Sequence, residues 1–268
     1  MLCAYCGNEA APTRDHVWPE CFLQRQGRQA AHFAVRTGKV HGADYTVNDV
    51  CEVCNNERLS PLDAYFCALY DRHLATLHDF NTTLTFGYDF DLLARALLKI
   101  AYNSARAGGS DPGPLRVLTP YVLGSAPPAR RFAIVAELVS PTTIADPGQP
   151  AGSERTVLPQ MYRSAITQFL YPGAEALLTR IVAVNSYYFH LMIAKEEMLE
   201  EAFESLVAAF IARIQGTVRL SRTTAAVSLA SSPQDGLRSF APHLEKNRSQ
   251  YEQFFARKRG ENRRGKGK

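Results

Sequence analysis

The sequence predicts an α+β protein in which a small metal-held N-terminal unit precedes a larger mixed domain, and three observations carry that expectation. Two cysteine pairs of identical spacing, Cys3-Ala4-Tyr5-Cys6 and Cys51-Glu52-Val53-Cys54, fall in the first quarter of the chain. Further on, Asp89 to Ala107 places Leu92, Leu93, Ala96, Leu97, Ile100 and Ala101 on one helical face, and Arg131 to Val139 contains an unbroken apolar run of strand character. At 268 residues, 46% hydrophobic and 21% charged, the chain can bury a substantial core and is too long for the cysteine-bearing unit alone.

Four thiolates in two C-x2-C knuckles suit tetrahedral zinc, because each knuckle turns tightly enough to aim both sulfurs at one ion about 2.3 Å away. A site closed by Cys3, Cys6, Cys51 and Cys54 leaves no position for substrate, so such a Zn2+ is structural. The alternatives are disulfides or free core thiols. The start of the chain has no charged segment leading into an apolar one, and no apolar run approaches the roughly 20 residues of a membrane span. The expectation is therefore a cytoplasmic protein without membrane association, where paired cysteines bind metal more often than they oxidise. Cys21 and Cys67, outside the knuckles, are expected to be small buried hydrophobes.

Between the knuckles, Thr13-Arg14-Asp15-His16-Val17-Trp18-Pro19 sets a carboxylate beside an imidazole in an apolar, strand-like context, and Asn48 and Asn55 flank the second knuckle. Together CAYC, RDHVWPECF and VNDVCEVCNNERLSPLD resemble the HNH endonuclease family, in the form that carries two zinc knuckles around a ββα-metal, treble-clef-like motif. The resemblance covers about residues 1–65. It implies metal-dependent hydrolysis of phosphodiester bonds, with His16 as general base and a catalytic Mg2+ or Mn2+ held by Asp15 and Asn55. An imidazole titrates near neutrality, which suits a base, and one hard divalent ion with few protein ligands leaves room for phosphate oxygens and water. Asn48 corresponds to the middle residue of the motif, which braces the loop and orients the base. Two features depart from the commonest pattern. The third position is Asn55 rather than His, with Asn56 as the alternative, and 31 residues separate His16 from Asn48, so a polar residue earlier in that loop competes for the middle role.

No acidic residue occurs from Cys21 to Ala43, where Arg25, Arg28, Arg36 and Lys39 alternate with His32, His41, Phe22 and Phe33. Such a loop can track phosphates, as can Arg58 on the helix after the second knuckle, and a solvated basic loop is the bland alternative. Trp18 is expected to pack over the metal-bound hairpin.

The remaining elements follow in order. Asn55 to about Leu77 has helical period, with Ser60-Pro61 as a break or restart, and Thr82 to Phe86 is a short strand. The helix from Asp89 ends at Gly108-Gly109. Pro and Gly are frequent from Pro112 to Ser153 around the strand at Arg131–Val139. A strand is expected at Ala165–Leu170, then paired strands Leu177–Ser186 and Tyr187–Ala194, then a helix through Lys195–Gln215. His190 and His243 are isolated and expected to be structural or surface residues.

Residues 256–268 hold seven Lys or Arg and one Glu. Removing that +6 from the formal +4 leaves the first 255 residues at −2, so nucleic-acid affinity would rest on local patches and the tail. The expected organisation is a nuclease unit at 1–78, a mixed α+β recognition or regulatory domain at 79–255 and a disordered basic tail at 256–268. DNA is the expected partner, RNA the alternative, and a homodimer or sequential nicking would be needed to cut both strands of a duplex. The competing function is an inactive zinc-stabilised module that binds nucleic acid or protein.

Overall fold

The computed structural model describes residues 1–25, 32–34, 39–41, 45–145, 154–159, 162–169 and 171–233, together with Ser249, Gln253 and Ala256. The first knuckle is a tight turn in which the Gly7 N–H donates to the Cys3 carbonyl at 2.9 Å. Gly7 takes φ +74°, a left-handed conformation that costs glycine little. Strand β1 (Pro12–His16) leads into helix α1 (Glu20–Arg25), a small hairpin of β2 (His32–Ala34) and β3 (Lys39–His41), and strand β4 (Thr46–Cys51). β4 returns antiparallel to β1, with Pro12 opposite Cys51 and His16 opposite Thr46, and a register shift between Thr13 and Asp15 bulges the pair at Arg14.

The helix expected after the second knuckle forms in three windings: a π-helical stretch at Cys54–Leu59, helix α2 (Ser60–Leu69) and a second π-helical turn at Tyr70–Leu74. Pro61 falls in the first turn of α2, where a missing N–H costs little. The order is thus knuckle, two antiparallel strands, helix.

Strand β5 (Thr83–Gly87) precedes helix α3 (Phe90–Gly108), which starts where the Asp89 side chain accepts from the Leu92 N–H at 2.9 Å and stops at Gly109 with φ +72°. Short helices α4 (Gly113–Arg116) and α5 (Thr119–Val122) follow. Next come β6 (Phe132–Ser140), a hairpin of β7 (Thr142–Ala145) and β8 (Glu154–Val157), β9 (Tyr162–Ile166), β10 (Leu177–Val184) and β11 (Tyr187–Ala194). Helix α6 (Glu200–Ile211), β12 (Val218–Arg219) and β13 (Ala226–Pro233) complete the described elements. The main sheet has the order β5-β13-β6-β11-β10-β9, with β12 also paired to β6. Its pairs are antiparallel except β13 with β6.

Some boundaries differ from expectation. The strand expected at Ala165–Leu170 runs instead over Tyr162–Ile166, because its register sets Tyr162 opposite Val184 and Ile166 opposite Arg180. The helical period from Lys195 yields α6 only from Glu200, since Leu199 adopts extended backbone at φ −62°, ψ 148°. β13 is half polar, Ala-Val-Ser-Leu-Ala-Ser-Ser-Pro, and had no strand expectation.

Every residue of α3 from Leu93 to Ala105 is buried except Arg95. The helix is enclosed because one hydrophobic cluster reaches from Cys3, Phe22 and Val50 through Leu97 and Ile100 to Leu138, Phe189 and Leu229. The opposite sheet face receives α6, whose Phe203, Val207 and Phe210 cover Ala133, Val135 and Met192. Burial on both faces explains why β6, β10 and β11 read as continuous apolar runs. Among the described residues, no helix is long and apolar enough to cross a membrane.

Two side-chain expectations need correction. Cys21 and Cys67 are not separate buried thiols but a disulfide joining α1 to α2 with Cα atoms 6.4 Å apart. Their neighbours Phe22 and Phe66 pack edge to face at 5.6 Å, and that contact sets the two helices in the register that lets the cysteines meet. Trp18 is buried against Phe22, Phe66 and Tyr162, at centroid distances of 5.3, 6.0 and 5.2 Å, so it belongs to the α1, α2 and β9 junction.

Candidate metal centre and adjoining polar site

Cys3 and Cys6 come from the knuckle turn, Cys51 ends β4 and Cys54 opens the following helix, and their sulfurs all lie within 4.8 Å of one another. Cys6 and Cys51 approach to 3.8 Å. Tetrahedral zinc with bonds of about 2.3 Å requires sulfurs about 3.8 Å apart, so the donor set fits such an ion. Backbone amides support it: Cys51 N–H donates to Cys3 Sγ at 3.4 Å and Cys54 N–H to Cys51 Sγ at 3.5 Å. Burial pushes the Cys3 thiol up, but amide donors from Cys6, Cys51 and Tyr5 draw it down to about 7. Burial and the neighbouring Cys51 and Cys6 thiols hold Cys54 well above its usual range. A soft divalent cation would deprotonate such a set together.

β1 then presents Asp15 inward. Asp15 is 3% exposed, its Oδ1 lies 3.2 Å from Lys99 Nζ, and its Oδ2 accepts from Asn103 Nδ2 at 2.7 Å. Asn103 also donates to the His16 carbonyl at 3.3 Å and accepts from the Tyr5 hydroxyl at 2.8 Å. Lys99 donates to both oxygens of Asp63 on α2, at 2.6 and 2.7 Å. Burial alone pushes the Lys99 ammonium down, but Asp63 and Asp15 outweigh it and hold it above its ordinary value. Asp63, with its side chain 27% exposed, is pushed up by burial against the opposing pull of Lys99, and the nearby Asp15 carboxylate adds to the rise. One lysine thus stands between two carboxylates, with half-exposed His16 beside them.

Asn55, in the first turn of the helix, reaches back to β1, donating from Nδ2 to Thr13 Oγ1 at 3.1 Å and to the Arg14 carbonyl at 3.2 Å. The side-chain carbonyl of Asn55 is its remaining polar atom. Asn48 is exposed on β4 across the bulge from Arg14, and its neighbour Asp49 is engaged by Arg106 at 2.6 Å. Asn56 is exposed.

Of the basic residues named for phosphate contact, Arg58 is exposed, whereas Arg25 is held by Asp71 at 2.6 and 2.7 Å. Lys39 lies on β3, and Arg28, Arg36, His243 and residues 257–268 fall outside the described residues.

Sequence inspection missed Lys99, Asn103, Asp63 and Tyr5. A signal for two of them existed on α3: Lys99 and Asn103 recur at helical spacing with Arg106 and form a polar stripe beside the apolar one. Arg106 fastens the same face, its guanidinium 4.6 Å from the Tyr102 ring centroid, and Tyr102 donates to the Ala4 carbonyl at 3.0 Å.

Comparison with known proteins gives no matching family model, no matching curated protein and no matching solved structure. Fold and site together define a mixed α+β protein whose Cys3, Cys6, Cys51 and Cys54 could hold a metal ion such as zinc.

Proposed function

We propose that the chain is a metal-dependent endonuclease of the HNH type that hydrolyses phosphodiester bonds, with DNA as substrate. The observation that carries this reading is the sequence of parts at one place: a four-cysteine cluster, Asp15-His16 at the end of β1, and Asn55 in the first turn of the following helix hydrogen-bonded back to β1. His16, half exposed and braced through its carbonyl by Asn103, would take the proton from the attacking water. Asp15 and the Asn55 carbonyl oxygen supply hard oxygen donors of the kind Mg2+ or Mn2+ takes, and Asn48 would brace the hairpin. When bound, such an ion offsets charge on the phosphate and on the leaving oxygen. The four cysteines would hold a structural Zn2+.

A second reading is an inactive zinc-stabilised module that binds nucleic acid or protein. It is favoured by the engagement of both Asp15 oxygens, one with Lys99 and one with Asn103, at almost complete burial.

Incubation of supercoiled plasmid with purified protein and Mg2+ or Mn2+, beside EDTA and a His16→Ala variant of matched zinc content, separates the two. The nuclease reading expects loss of supercoiled DNA that requires both the divalent ion and His16. General-base catalysis contributes about 10²–10⁴-fold, so His16→Ala should fall by that order. Plasmid that stays intact with zinc-loaded wild type would favour the binding module.

A further inference from the structure

The six cysteines of the chain stand in two chemical states that call for opposite conditions. Cys3, Cys6, Cys51 and Cys54 are free thiols, and a metal site made from them needs thiolates. Cys21 and Cys67 are oxidised to a disulfide. A medium reducing enough to keep four thiols available favours opening that bond, and a medium oxidising enough to hold the bond closed threatens the four thiols. The two states coexist over a limited redox range.

The surroundings of the bond show what opening it would leave intact. The contact between α1 and α2 is made by apolar side chains: Phe22 and Phe66 are both 0% exposed, and Phe22 also meets Tyr70 and Tyr162 edge to face at 5.2 and 5.3 Å. None of these contacts depends on the sulfurs, so the helices stay packed when the bond opens. The reduced cysteines are accommodated as well. Cys67 is 5% exposed in the apolar core, where a thiol behaves as a small hydrophobe. The Cys21 sulfur lies 3.8 Å from the Asp63 carbonyl, an acceptor for the proton it gains on reduction. What is lost is a covalent tie between positions 46 residues apart, which restricts the unfolded chain and fixes α1 on α2. Only Val17, Trp18 and Pro19 separate His16 from α1, and α2 carries Asp63, so the tie joins elements on both sides of the polar site.

Access to the bond is one-sided. Cys21 is partly exposed and Cys67 is buried, so a thiol from solution meets the Cys21 sulfur first. Its thiolate attacks Cys21 Sγ, the bond to Cys67 breaks, and Cys67 leaves with the electron pair and takes up a proton. A second thiolate attacks the added sulfur of the mixed disulfide and releases Cys21, which is protonated in turn. Two small thiols are oxidised to one disulfide, and the two cysteines gain two electrons and two protons.

We propose that Cys21–Cys67 is a thiol-exchange site, opened and closed by small-molecule thiols in the folded, metal-loaded protein, and that its state sets how firmly α1 is held on α2. The proposal is independent of the nuclease reading, and its test needs no substrate.

The zinc-loaded full chain is equilibrated in glutathione buffers of graded reduced-to-oxidised ratio, quenched in acid, alkylated and weighed, with released zinc followed by a chromophoric chelator. The result expected is a two-electron step confined to Cys21 and Cys67, reversed by oxidised glutathione, with zinc retained throughout. Hydrogen exchange at the Phe22 and Leu23 amides, which donate to the Pro19 carbonyl at 3.0 and 3.1 Å, should be roughly tenfold faster in the open form. The Tm should fall by several degrees on opening. Cys21→Ser, which leaves the buried Cys67 in place, should show that lower Tm in every buffer, and wild type in the reducing buffer gives the same reading without a substitution. A bond that resists glutathione until denaturant is added would be a permanent staple and would overturn the proposal. So would opening that releases zinc or unfolds the chain, and so would equal amide exchange in the two forms.

Discussion

Two groups of buried ionisable side chains, on opposite sides of the main sheet, differ in how they are closed. Between α3 and the N-terminal unit, Lys99 holds Asp15 and Asp63, and Asp63 retains 27% exposure beside His16. On the far face Glu137 and His190 are both 0% exposed, paired at 3.1 Å, and Glu137 also accepts from Ser232 at 3.1 Å. The first group is a charged arrangement with an edge toward solvent. The second is sealed, and burial, helped by the charge of Arg163, lowers the His190 imidazole to about 3. Difference in closure separates a group that can take part in binding from one that fixes strand register, because a sealed group cannot exchange partners without opening the core.

The largest effect expected is on the first region alone. Chelation of the metal, or Cys51→Ser, should unfold the N-terminal unit, since binding free energy at a structural zinc site is folding free energy of about 10–16 kcal/mol. Circular dichroism with metal release followed by a chromophoric chelator checks this; a chelated protein that unfolds as cooperatively as the loaded one would break it. Next, Lys99→Met leaves two carboxylates facing each other and should cost about 3–5 kcal/mol in denaturant unfolding. Adding Asp15→Asn and Asp63→Asn to that variant should recover most of the loss. A single-variant cost below about 1 kcal/mol would mean that the lysine does not hold the two acids.

The sealed region makes a pH prediction. His190 is neutral when folded and takes up a proton near pH 6.5 when unfolded, so its contribution to stability is fully present above pH 6.5 and is lost as pH falls toward 3, by up to about 1.4 kcal/mol per pH unit. Denaturant midpoints measured over that window should flatten in His190→Gln. An unchanged slope would assign the acid sensitivity elsewhere. The smallest effect belongs to Arg25→Ala, which removes an exposed pair with Asp71 and should shift Tm little, and less still at high salt.

Much of this comparison was legible in the residues. Each C-x2-C spacing marked a pair of ligands, and Asp89 and Gly108-Gly109 marked both ends of α3, because caps and ligand turns are local features; the two cysteine pairs, 45 residues apart, were matched by their common spacing. What escaped is non-local. The Cys21–Cys67 disulfide spans 46 residues and depends on the Phe22–Phe66 contact. The partners of Asp15 lie 84 and 88 positions further along the chain, on a helix whose apolar stripe drew attention away from its polar one. β13 gains its place from pairing with β5 and β6 rather than from an apolar sequence.

Direct binding of Mn2+ to the zinc-loaded protein tests the central claim most closely, because it asks whether Asp15 and Asn55 can still accept a hard ion while Lys99 and Asn103 hold Asp15. Electron paramagnetic resonance titration should find one Mn2+ per chain, weakened at least tenfold by Asn55→Ala and by Asp15→Asn, without loss of zinc. Absence of bound Mn2+ in wild type, or binding indifferent to both substitutions, would contradict the nuclease account and leave the zinc-stabilised binding module.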